Sequence, residues 1–231
     1  MRSTVPETTS RKQARAAQAA ETRQRLIDTA VDLFADNPYD KVGVTDIVEA
    51  ADVAHGLLFH YFGNKRGIYL EAMRATADGL SQSFANLPAD GAPDVQIRAA
   101  LTAHLTYLRT HRGLALRMIL GGRGADPEAW QVFEDARTGA LTAGAALLGL
   151  DPNNAAVALA GRAAVAAIDE TTARWLDDDT AFSVDTVVEM LTRVLTGCLE
   201  TAPLLDPTVS VTASVATILG SGNTDSPNSQ T

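Results

Sequence analysis

The chain has 231 residues, 46% hydrophobic content, a formal net charge of −9 and one cysteine, Cys198. That length and apolar share supply a packed core and exclude a disordered tail, a single cysteine excludes an internal disulfide framework, and four scattered histidines leave no zinc-binding spacing. The acidity excludes a uniformly basic nucleic-acid binder but is unevenly spread: residues 1–74 hold 10 of the 19 basic and 10 of the 28 acidic residues, so the negative charge lies in the remainder.

Residues 1–20 are rich in Thr, Ser, Gln and Ala without an apolar period and read as a flexible basic arm. Its Arg11, Lys12 and Arg15 suit phosphates or a minor groove, and equally solvent. Leu26, Ile27, Ala30, Leu33 and Phe34 then form one stripe at helical spacing, which predicts a helix from about Glu21 to Asp36, stopped by Asn37-Pro38.

From Val44 to Lys65 the chain reads VTDIVEAADVAHGLLFHYFGNK. A second helix buries Ile47, Val48 and Ala51, with Asp46 at the positive end of its dipole and Gly43 as its cap. Asp52 takes the turn position that needs tolerance of positive φ. A third helix buries Val53, Leu57, Leu58 and Phe62, and turns Ala54, His55, Gly56, Phe59, His60 and Tyr61 outward or to its edge. Asn64 caps a fourth helix reaching about Asn86. Lys65 and Arg66 stand in its first turn, where the dipole disfavours cations and a phosphate would satisfy side chains and free N–H groups together. Short helix, tight turn, short helix is the order in which a helix-turn-helix reads DNA.

After Pro88 the chain is rich in Ala and Leu, with helix starts at Pro93, Asp126-Pro127, Asp151-Pro152 and Ser183. No alternating strand pattern precedes residue 208, so the expected fold is all-α with about nine helices. Val209, Val211, Ala213 and Val215 alternate as a strand would, whereas Val211, Val215, Ile218 and Leu219 fit a helix, and both readings stand. The polar run Gly220 to Thr231 reads as a disordered end. The expected division is an arm (1–20), a helix-turn-helix domain (21–75), a helical domain (76–205) and a C-terminal tail (206–231).

With Asp46, Ile47, Ala51, Val53, Gly56, Leu58, His60, Tyr61, Phe62, Lys65, Ile68, Tyr69 and Leu70 in place, residues 21–75 resemble the DNA-binding head of the TetR (tetracycline-repressor-like) family of bacterial transcription regulators. The resemblance implies that the third helix enters the major groove. Tyr61 and Lys65 then contact phosphates, Thr45 meets the backbone from the second helix, and His55, Gly56 and Leu57 lie nearest base edges, with Phe59 and His60 on the same surface. The chain departs from the family pattern at Gly43, Asp52, Ala54, Leu57 and Phe59, where Thr, Gly, Ser, Thr and Tyr are usual. The changes remove hydroxyls or add a negative charge near DNA and leave readout partly apolar, for instance Leu57 against a thymine methyl.

The resemblance also implies a homodimer that binds a palindromic double-stranded DNA operator and is released by a small-molecule effector held in the helical domain. Small residues on the helix from Pro152 to Asp177, among them Ala160, Gly161, Ala163, Ala164, Ala166 and Ala167, together with Met190, Leu191, Val194 and Leu195 on the last long helix, are the expected dimer interface. Large or polar side chains on otherwise apolar helices are the expected effector contacts: His104, Tyr107, Arg117, Met118, Trp130, Phe133, Asp169, Thr172 and Trp175. The aromatics and Arg117 suggest an uncharged or weakly acidic lipophilic effector. No cofactor or metal is expected.

An enzyme is the first competing reading, and its chemistry does not assemble. His104 and His111 lie about 10 Å apart along a helix, too far to share a metal. Cys198 sits among leucines as a small hydrophobe, and the Gly121 to Gly124 run precedes Asp126 and Glu128, which repel a phosphate. A helical protein-interaction module that has lost DNA binding is the second. No apolar run reaches about 18 residues and the basic N-terminus has no signal-peptide apolar region, so a soluble, cytoplasmic protein without membrane contact is expected.

Overall fold

A computed structural model describes residues 7–85, 91–113, 126–177 and 181–220, the side chains of 7–10 and 83–85 excepted. Among the described residues every regular element is helical. The chain forms two compact units: apart from a short return of chain at Gly113, the first ends at Thr76 and the second begins at Ala77.

Helix α1 (Glu7–Asp36) buries Leu26, Ile27, Ala30 and Phe34. A turn of 3-10 helix (Tyr39–Lys41) leads to α2 (Val44–Ala50), α3 (His55–Phe62) and α4 (Lys65–Ala85). Ile47 and Val48 of α2, Leu58 of α3, and Ile68 and Ala72 of α4 complete the apolar interior of the first unit. At its edge Phe34, Tyr39 and Tyr69 form an aromatic cluster with centroids 4.9 to 5.9 Å apart, and Arg23 is ion-paired with Glu71. The stretch expected to be a flexible arm is helical from Glu7 onward, which corrects the boundary at residue 20. Residues 11–18 are all exposed, so packing does not hold them. Ala14, Ala16, Ala17, Gln13 and Gln18 are strong helix formers that extend an already nucleated helix.

The second unit contains α5 (Pro93–Thr110), α6 (Pro127–Leu147), α7 (Ala155–Asp177), α8 (Val184–Leu199), the single turn α9 (Ala202–Leu205) and α10 (Thr212–Ile218). Helix α8 packs on both α5 and α7; Val187, Val188 and Leu191 meet Ile97, Leu101 and Leu105 of α5 and Ala156 and Ala160 of α7 in one core. Pro93 and Pro127 open their helices as expected, with Asp126 accepting from Glu128 N at 2.9 Å and Ala129 N at 3.2 Å. Ser183 accepts from Thr186 N at 3.2 Å. Helix α7 starts three residues later than Asp151-Pro152 suggested. The cap is Asn154, whose Oδ1 takes Ala156 N at 2.9 Å and Val157 N at 3.2 Å, while Asp151 is spent on Asn153 N.

The segment expected to begin a tail belongs to this core. Val211, Val215 and Ile218 fall at i, i+4 and i+7 and are buried, and Ser214 donates to Leu148 O at 3.0 Å, so the helical reading of 206–219 holds and the strand reading fails. Residues 221–231 lie outside the described residues. Among the described residues no helix is long and apolar enough to cross a membrane.

Candidate nucleic-acid interface

Helix α2 starts at Gly43, whose N–H donates to the Asp46 carboxylate at 2.6 Å; Thr45 is exposed in its first turn. The chain leaves α2 through Asp52, which adopts φ 50° as the turn requires of a non-glycine with a short polar side chain. Helix α3 then offers solvent a face of His55, Gly56, Phe59 and His60. The His55 and Phe59 rings are 5.3 Å apart, Phe59 is 45% exposed, and no atom lies within 4 Å of where a Gly56 Cβ would stand. Eight residues at 1.5 Å each make a rod of about 12 Å, which fits the mouth of a major groove. The imidazoles supply hydrogen bonds, the phenyl ring apolar contact, and Gly56 close approach. Leu57 is half-buried, so only its edge reaches this face.

The end of α3 is fixed by two glycines. Gly63 adopts φ 76° and closes the helix. Gly67, in the first turn of α4, comes so close to α3 that an added Cβ would stand 2.0 Å from Phe62 O. Asn64 Oδ1 accepts from Gly67 N at 2.9 Å, as the expected cap of α4 does. Tyr61 is half-buried, edge-on to His60 at 5.1 Å and to Phe62 at 6.1 Å. Lys65 is half-buried with Nζ 4.3 Å from the centroid of the Tyr39 ring, a cation–π contact that holds the ammonium at the α4 N-terminus. Thr45 and Lys65 thus begin two different helices that flank α3, positions suited to phosphates on either side of a groove. Sequence reasoning missed Tyr39, Gly67 and Arg23, whose guanidinium carbon lies 5.2 Å from the Phe62 ring centroid. Only the aromatic at Tyr39, just after the helix stop Pro38, left a local signal.

In the second unit the expected effector residues do not form one described site. His104 is half-buried with its Nε2 sealed from solvent and, among the described residues, without a hydrogen-bond partner, and burial lowers its pKa from 6.5 to about 4. Thr172 is fully buried and its Oγ1 also has no partner among the described residues, unlike Thr76 and Thr192, which bond the carbonyl four residues back. Tyr107 stacks on His111 at 4.2 Å and passes close to Gly79; burial raises its phenol pKa. Trp175 donates from Nε1 to Phe182 O at 3.0 Å and packs on the core. Trp130 and Phe133 pair at 5.8 Å, and Arg137, which the sequence did not single out, lies 3.8 Å from the Phe133 centroid.

Arg137 joins α6 to α7 by donating from Nε to Asp169 at 2.8 Å, with a second bond from Nη2, and to Glu134 at 2.9 Å. Arg162 bonds the other Glu134 oxygen at 2.6 Å. Burial pushes the Asp169 carboxyl up despite the pull of Arg137. Burial acts the same way on Glu134, but the hydrogen bonds from Arg137 and Arg162 hold it below the usual carboxylate range. Arg117 and Met118 lie outside the described residues.

Four of the expected dimer residues require correction. Ala160, Gly161, Ala164 and Leu191 are buried within the unit, and an added Cβ on Gly161 would stand 2.8 Å from Leu141 of α6. Ala167, Val194 and Leu195 are half-buried. Small residues occupy every side of α7, so composition did not tell the inward stripe from the outward one. The outward stripe carries Leu159, Ala163 and Ala166, and Met190 and Gly197 are exposed on α8.

The profile described as bacterial regulatory proteins, tetR family, matches residues 26–72. A probable acrEF/envCD operon repressor of Escherichia coli (strain K12) is 33% identical over 107 residues, 45% of this chain and 49% of the relative; the chain spans about half the length of such a relative. The crystal structure of a tetR-family transcriptional regulator from Streptomyces coelicolor has the same fold, with a TM-score of 0.77 at 22% identity over 90% of this chain and 92% of that one. FadR from Bacillus subtilis, solved in complex with stearoyl-CoA, has a TM-score of 0.59 at 22% identity over 74% of this chain and 96% of its own.

Proposed function

We propose that this chain, whose residues 26–72 match the tetR family of bacterial regulatory proteins, is a cytoplasmic repressor of that family that binds a palindromic operator as a homodimer and is released by a small lipophilic effector. The observation that carries the reading is the α3 face of His55, Gly56, Phe59 and His60, flanked by Thr45 on α2 and by Lys65, held over Tyr39, on α4. Base edges meet the face and phosphates meet the flanks. The protein acts by binding, without turnover.

The effector reading is supported by two buried polar atoms that have no partner among the described residues, His104 Nε2 and Thr172 Oγ1, since native interiors seldom leave such groups unsatisfied. A structural neighbour that holds an acyl-CoA agrees with a lipophilic effector. For the dimer, the outward stripe of α7 and α8, with Leu159 58% exposed and Met190 44% exposed, offers the apolar surface. Effector binding then favours a dimer whose two recognition helices no longer match the half-site spacing, about one turn of DNA.

The test starts with a duplex selected from a randomised library by the full chain. Affinity should fall steeply between about 50 and 200 mM salt, and Lys65→Gln should flatten the logarithmic slope by about one per protomer. A salt-insensitive interaction, or no selectable duplex, refutes the DNA reading. An unchanged slope in the Lys65 variant removes that residue from the phosphate contacts.

A further inference from the structure

Residues 11–18 of α1 have no role in the head's packing. Arg11, Lys12 and Arg15 are exposed, and no carboxylate pairs with them among the described residues. From Thr8 to Ala20 they are the only charged residues, a cluster of three cations in a chain whose net charge is −9. The segment is helical, continuous with the part of α1 that packs in the first unit, so its direction is set by the head. Arg23 places it: its guanidinium rests against Phe62, the last residue of the recognition helix, and pairs with Glu71. Arg15 is eight residues earlier, about 12 Å along the helix, and Arg11 about 18 Å.

We infer that this helical extension is a second DNA-binding element, which holds backbone phosphates outside the base pairs read by α3. The inference rests on the DNA-binding reading of the head and extends it to a partner surface. The chemistry selects a polyanion: three cations on a rigid rod match phosphates spaced along a strand. A membrane surface is disfavoured, because residues 11–20 contain no large apolar side chain to insert beneath the headgroups. The helix also lowers the entropy cost of binding relative to a disordered arm, since its backbone is already ordered.

The experiment uses the full chain and two duplexes, the selected operator alone and the same operator with about 10 flanking base pairs at each end. R11Q/K12Q/R15Q keeps helix propensity, because Gln ranks close to Lys and Arg, and circular dichroism checks that helicity is unchanged. On the long duplex the salt slope should become shallower by about 2.7 per protomer, from 0.9 for each of three phosphates, and protection of the flanks from hydroxyl radicals should be lost. On the short duplex wild type and variant should differ little, and R11K/R15K should behave as wild type on both. Equal slopes and equal footprints on the long duplex overturn the inference while leaving the head's function intact. Failure of the wild type to bind either duplex refutes the head's function itself, and the extension falls with it.

Discussion

The imidazole of His104 shows what one buried side chain does to the pH response of the second unit. Its Nε2 is sealed from solvent and has no partner among the described residues, and burial lowers its pKa from 6.5 to about 4. Between those values the unfolded chain binds the proton and the folded chain does not, so stability rises with pH across that window and is lost as pH falls through it. Above pH 6.5 both forms are neutral and the contribution is flat. The full difference is on the order of 3 kcal/mol. His104→Leu, which fills a similar volume without a titrating group, should flatten the dependence of the urea midpoint between pH 6.5 and 4 relative to wild type. A variant that keeps the wild-type slope would show that the acid response originates elsewhere. The same substitution should weaken effector binding if His104 Nε2 is an anchor for the effector.

Between elements, the firmest polar link lies where α6 meets α7. Arg137 and Asp169 have side-chain exposures of 16% and 8%, so removing Arg137 strands the Asp169 carboxylate in an apolar setting, whereas removing Asp169 leaves Arg137 its bond to Glu134. Arg137→Met alone should cost roughly 3 to 5 kcal/mol in urea unfolding and Asp169→Asn less, whereas Arg137→Met with Asp169→Leu should recover most of the loss. Additive losses in the double variant would mean that the pair acts through separate contacts. Sequence reading singles out Asp169 as an effector contact because a carboxylate stands out on an apolar helix, and misses its ion pair with Arg137 because a partner 32 residues away leaves no local spacing. It found α2, α3 and their turn almost to the residue, since amphipathic period, cap and breaker agree there. It ended α1 too late at the N-terminal side because it asked for an apolar stripe, and residues 11–18 are helical by propensity alone. On α7, alanines on all sides erase the amphipathic phase, so composition does not separate the buried stripe from the outward one.

At the scale of the assembly, charge and apolar surface act in opposite senses. Residues after 74 carry the whole net charge of −9, so two copies repel through their acidic units, and apolar contact has to overcome that repulsion. Leu159 and Met190 are exposed at 58% and 44% on neighbouring helices, and Leu204 in the following turn at 82%. A dimer burying them would gain about 25 cal/mol for each Å² of apolar surface removed from water. Salt should therefore tighten the dimer by screening the acidic units while it weakens DNA binding by reducing counterion release. Sedimentation of wild type should show a dimer at micromolar concentration whose dissociation constant falls as salt rises. Leu159→Glu with Met190→Glu adds repulsion to the same stripe and should give monomer without loss of helicity. If the proposed function holds, that monomer should still bind a single half-site and lose the extra affinity of a full palindrome, because the second head no longer binds intramolecularly. A double variant that stays dimeric would place the interface on another face of the second unit.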